Sequence, residues 1–151
     1  MALGALLVLA LLVSVVTDVR WRRVPDWVTL PALAVALAIR GATEGVGSLD
    51  AGLLEGVVAA AGASGLLAVP ALSGKMGWGD VKLMAVVGAA VGFPAVVAAV
   101  VFISVAGAVQ AVGMLLWARV RGQGAQPAIP YAVAIAMGSL CTLWWQHSNA
   151  R

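Results

Sequence analysis

An all-α, polytopic membrane bundle of about six transmembrane helices is the fold this 151-residue chain predicts, with the N-terminus and C-terminus on the outer side. Three observations lead there. The composition is 63% hydrophobic and only 10% charged, with a mean hydropathy of +1.06, which no water-facing surface of ordinary polarity allows. The apolar residues fall into runs near the roughly 20 residues that a helix needs to cross a bilayer. The connections between those runs alternate between basic and non-basic.

The first run, about 2–18, has neither the positive start nor the small-residue cleavage site of a secretory signal, so it reads as a retained helix. The second, 26–40, follows Val24-Pro25, and the third covers 51–72. The fourth, 80–92, is short. Gly92-Phe93-Pro94 separates it from the fifth, 95–118, because proline lacks the amide a helix needs and one helix over 81–118 would overrun a bilayer. The sixth is 129–146. No linker, internal repeat or low-complexity tract divides the chain, so residues 1–151 form a single transmembrane domain.

Charge orients these runs. The first connection carries Arg20, Arg22 and Arg23, and the second sets Arg40 against Glu44 and Asp50. The third carries Lys75 and Lys82, the fourth has no charge, and the fifth carries Arg119 and Arg121. Positive connections face the cytoplasm, so the first, third and fifth do. This predicts a multi-pass protein of the cytoplasmic (inner) membrane. Trp21, Trp27, Trp117, Trp144 and Trp145 fall near run ends, as interfacial belt residues do.

Two acids then stand out. Asp80 lies in Gly77-Trp78-Gly79-Asp80-Val81-Lys82-Leu83, at the start of an apolar run, and Asp18 lies where the first run ends. The topology puts both on the cytoplasmic face, and an ionisable group at membrane depth marks function by default. Paired aspartates suit peptide hydrolysis: one carboxylate deprotonates a water while the other, protonated, polarises the carbonyl and then protonates the leaving amine. Other chemistries are poorly supplied. There is one cysteine, Cys141, and one histidine, His147, which excludes an intrachain disulfide and the histidine clusters of zinc hydrolases; no metal or cofactor is expected.

Gly77 and Gly79 are expected to supply backbone conformations closed to other residues and to let an extended substrate approach. The alternative is a plain loop, with Asp80 capping the next helix. A second function class also uses the same carboxylates: a non-enzymatic membrane subunit, or a small ion or proton carrier. A carrier usually shows an inverted repeat and broken helices, and neither is visible. Asp26, after Pro25, reads as a helix cap in preference to a third catalytic acid. Arg20, Arg22 and Arg23 read as anchors to anionic lipid in preference to groups that repel or orient a substrate, Glu55 as an outer-interface residue near Asp50 in preference to a buried polar contact with a neighbouring helix, and Lys75 as a loop charge.

The wider pattern adds a resemblance. Asp18-Val19-Arg20-Trp21-Arg22-Arg23-Val24-Pro25-Asp26, followed by Thr29-Leu30-Pro31, resembles the first aspartate motif of prepilin peptidases, which belong to the GxGD aspartyl protease group. Gly77 to Leu83 resembles their second motif, and Ile129-Pro130-Tyr131 with Ala134 and Gly138 resembles the start of their last helix. The resemblance implies Asp18 and Asp80 as catalytic residues, with Gly77, Gly79 and Lys82 associated with the site. It implies cleavage of the short basic leader from type IV pilin-like precursors on the cytoplasmic side, in systems of the pilus or protein-secretion type. The chain looks like the short members that lack a cysteine-containing N-terminal segment, so methyl transfer to the new terminus is not expected. The expected partners are the precursor and membrane lipid, with no nucleic acid.

Overall fold

The computed structural model describes residues 2–47, 51–74, 76–122 and 130–149; Asp50, Lys75 and Ile129 lie outside them. The described residues form six helices: α1 Ala2–Trp21, α2 Asp26–Glu44, α3 Leu53–Leu72, α4 Trp78–Val91, α5 Ala95–Val120 and α6 Tyr131–Asn149. All six predicted runs are present, most of them extended by a few residues.

The short helix is the centre of the bundle. From Asp80 to Val91 every residue of α4 except Lys82 is buried, which is what an apolar surface on all sides demands. It packs against each of the other five helices. Its 14 residues reach about 21 Å at 1.5 Å per residue, short of a hydrocarbon core of about 30 Å. Enclosure by neighbours makes the short length tolerable, because the ends of α4 meet protein instead of lipid.

Small residues permit that enclosure. Gly88 of α4 lies against the main chain of Ala59 and Ala60 in α3, where a Cβ would overlap it. Ala36 of α2, Ala60 of α3, and Ala85 and Ala89 of α4 form a second apolar contact. In α6, Gly138 meets the Ile103 backbone of α5 in the same way. Close backbone approach is the usual means of joining helices in lipid, where apolar side chains gain nothing by leaving one apolar medium for another.

Outward faces are apolar. Leu9 and Leu12 of α1, Leu66 and Val69 of α3, and Val101 and Val105 of α5 are all largely exposed. By length and hydropathy alone, α1, α3 and α5 each qualify to cross a membrane. The six-span expectation therefore holds for the number of helices, while three of them meet the span criterion by themselves.

One end of α4 carries polar structure that differs from the sequence reading. Arg40 belongs to α2 and not to the following connection, and both it and Glu55 are buried. Arg40 Nη1 meets Glu55 Oε2 at 2.5 Å, while its Nε donates to the Ala89 carbonyl at 2.6 Å and Nη2 to that of Ala90 at 3.3 Å. Glu55 Oε1 accepts the Phe93 amide at 2.5 Å. Glu55 thus takes the alternative reading, a buried polar contact with a neighbouring helix, in place of the preferred outer-interface one, for a reason found in α4. That helix ends inside the protein, so its last carbonyls and the amide beyond them need partners that water would otherwise provide. Gly92, with φ of +68°, turns the chain at this point and leaves no room for a Cβ beside Arg40 and Glu55.

Candidate active site

At the other end of α4 the two acids meet. Asp18 lies in the last turn of α1, which closes when the Arg22 amide donates to the Asp18 carbonyl at 2.7 Å. Asp80 is the third residue of α4, whose first turn is closed by its own amide donating to the Gly77 carbonyl at 3.1 Å. Both acids line a cavity of about 500 Å³, together with Arg22, Asp26, Gly77 and Gly79. Both also line an adjoining cavity of about 360 Å³, which Pro130 and Tyr131 at the start of α6 complete.

The two carboxylates have different surroundings. Asp18 Oδ2 accepts the main-chain amide of Ala132, 3.2 Å away in the first turn of α6, so the acid from α1 satisfies one of the free amides of another helix. Asp80 is buried, and its Oδ1 has no hydrogen-bond partner among the described residues. A buried, unpartnered carboxyl oxygen is costly, and such atoms call for an explanation such as a catalytic role.

The glycines act differently from expectation. Gly77 has φ −75° and ψ 140°, ordinary extended backbone, and Gly79 is absent from the positive-φ residues. What Gly79 provides is room: a Cβ there would lie 2.8 Å from Val24 Cβ and 3.0 Å from the Val24 carbonyl oxygen. The motif glycine therefore lets the segment joining α1 to α2 lie on the first turn of α4, which brings the two acid-bearing segments together. At Gly77 a Cβ would meet only Asp80 Oδ2, at 3.5 Å.

Asp26 is the first residue of α2, and the preceding cap residue is Pro25, so the capping reading gives way to an ion pair. Lys82 Nζ reaches Asp26 Oδ1 at 2.7 Å, with both side chains partly exposed. This pair ties α4 to α2 beside the cavity, and Lys82 does not line it. Asp80 does not act as the N-cap either; that position belongs to Gly77. Trp78 lines the larger cavity. Among the described residues no group of three or more His, Cys, Asp and Glu is gathered to hold a metal ion.

The profile of the type IV leader peptidase family matches residues 5–112, which include α2, α3, α4 and both acids. The chain belongs to this family. A prepilin leader peptidase/N-methyltransferase of Bacillus subtilis (strain 168) is 36% identical over 134 residues, covering 86% of this chain and 50% of that protein. The chain thus spans about half the length of that curated relative. No solved structure matches it.

For this leader peptidase family member, sequence reasoning gave Tyr131 and Pro130 only as parts of a motif. The fold places both in the wall of the smaller cavity, which the acids also line. Gln110 of α5 donates to the Pro130 carbonyl at 3.0 Å, and the Tyr131 ring rests against Gly107, where a Cβ would meet Cε2 at 3.2 Å. The available signal was the pair itself: a proline before an aromatic at the start of an apolar run, opposite a glycine in the preceding one.

Proposed function

We propose that the chain is a membrane aspartic endopeptidase that removes the short basic leader from type IV pilin-like precursors, with Asp18 and Asp80 as its catalytic residues. The observation that carries this reading is the shared cavity into which the ends of α1 and α4 bring the two acids. Like carboxylates in one partly buried site divide the labour of hydrolysis by sharing a proton. One removes a proton from water as the water oxygen bonds to the scissile carbonyl carbon. The other donates a proton to the amide nitrogen as the C–N bond breaks.

The cavity is large enough for a stretch of extended peptide, and α4 begins there, with Gly77, Trp78 and Gly79 in its wall. Arg20, Arg22 and Arg23 lie within five residues of Asp18, and their charge supports a cytoplasmic location for this end of the bundle. The pilus-type precursor and this orientation rest on family membership and on charge, and the proposal is confined to the peptidase step.

The test is cleavage of a co-expressed pilin-like precursor by the parent and by Asp18→Asn and Asp80→Asn variants that still insert in the membrane. Processing by the parent, lost in each variant, is the expected result. Normal processing by either variant would remove that aspartate from the mechanism.

A further inference from the structure

Arg22 is the one non-glycine residue among those described that has a positive φ, +52°. A side chain in that region is sterically disfavoured, and asparagine, aspartate and glycine take it far more readily than arginine. Glycine would close α1 at this point without strain, yet the position holds a long cation. Strained backbone of this kind gathers at functional sites.

Its location gives the strain a purpose. Arg22 lines both cavities, as do Asp18, Asp80 and Gly77, and it is the one cation that does so. Although two carboxylates lie in the same space, the exposed Arg22 makes no ion pair within 4.0 Å and no side-chain hydrogen bond with a described residue. Of the nearby cations, Arg23 lines only the larger cavity, and the others are engaged elsewhere. Arg20 lies over the Trp21 ring at 5.4 Å, and Lys82 is paired with Asp26.

We propose that Arg22 is a substrate-positioning residue: its guanidinium donates to main-chain carbonyl oxygens of the extended peptide on one side of the scissile bond. This rests on the aspartic peptidase reading above. An extended peptide presents unpaired carbonyls at every residue, and a fixed donor in the cavity wall can pair with those that pass it. The planar guanidinium offers five N–H donors in a fixed fork, so it can hold one or two carbonyls and set the register of the strand against the acids. It cannot take the proton that hydrolysis moves, so it directs the reaction without joining it.

The strained position yields a test in which structure and function give opposite signs. The variants Arg22→Gly, Arg22→Lys and Arg23→Gly are purified in a zwitterionic detergent, which removes any part played by anionic lipid. Each is assayed for thermal unfolding and for cleavage of a precursor that the parent cuts. Arg22→Gly is expected to unfold at or above the parent temperature, because glycine relieves the strain, while kcat/KM falls at least about tenfold, mainly through KM. Arg22→Lys is expected to recover part of that loss, as is millimolar guanidinium ion added to Arg22→Gly. Arg23→Gly is expected to gain nothing from guanidinium.

Cleavage by Arg22→Gly at the parent rate would overturn the proposal. So would a fall in its unfolding temperature that matches the loss of activity, since the side chain would then be structural, and so would a loss that neither lysine nor guanidinium restores. Asp18→Asn is assayed alongside. If that variant cleaves normally the aspartic reading fails by itself, whereas the Arg22 outcomes are judged only against the parent.

Discussion

Arg40 and Glu55 form a buried ion pair at 2.5 Å at the end of α4 remote from Asp80, and between them they bind the Ala89 and Ala90 carbonyls and the Phe93 amide. The pair sets where α4 stops. A central helix of 14 residues that ended without these partners would leave its final carbonyls bare inside the bundle, and the helix could shift along its axis. Because Asp80 lies at the opposite end of the same rigid element, fixing one end fixes the height of the acid at the other.

Removing Arg40 strands the buried Glu55 carboxylate, and removing Glu55 leaves Arg40 only the longer contact to Glu44 at 3.4 Å. Arg40→Met or Glu55→Ala should each destabilise the protein by about 3–5 kcal/mol, measured by unfolding in detergent. The double variant should lose less than the sum, with a coupling of about 0.5–3 kcal/mol. Full additivity would mean that the two side chains act independently, against the geometry.

The two motif glycines should separate cleanly. Gly79→Ala presses a Cβ onto Val24 and should cost about 1–3 kcal/mol, as overpacking does. Cleavage should fall further than stability, because relief of the clash moves the Asp18-bearing segment away from α4. Gly77→Ala meets only an ordinary contact at a φ that alanine accepts, and should change stability by no more than about 0.5 kcal/mol. Unfolding and cleavage measured on both variants check this, and equal stability losses would contradict it.

The sequence showed the helices because lipid leaves few choices: long apolar runs, broken by Pro25, Gly92-Phe93-Pro94 and charged connections, become helices within a few residues of the predicted limits. Asp18 and Asp80 were legible because a carboxylate is conspicuous beside an apolar run. Arg40 and Glu55 were equally conspicuous, but Arg40 was placed in a connection and the buried contact of Glu55 stood only second to an interfacial position. The overlooked signal was complementary: a cation near the end of one run and an acid near the start of the next, with a short helix to follow whose ends needed partners. Gly79 was misread for a different reason. Sequence shows that a glycine is present, but whether it provides a conformation or a space depends on what lies opposite, and Val24 is 55 residues earlier.

Asp18 has a second task, which separates its structural role from its chemistry. Its Oδ2 accepts the amide of Ala132, a fully buried residue in the first turn of α6. Asp18→Asn keeps a carbonyl oxygen there and loses only the charge beside the positive end of that helix, an effect of about 0.3–1 kcal/mol. Asp18→Ala leaves the amide without an acceptor, at a cost of about 1–3 kcal/mol. Both variants should lose cleavage, but only the alanine variant should unfold measurably earlier and loosen α6, which amide exchange at Ala132 would register. Equal stability of the two variants would mean that the amide finds another acceptor, and that α6 is held in place by Gly138, Tyr131 and Gln110 without help from the acid.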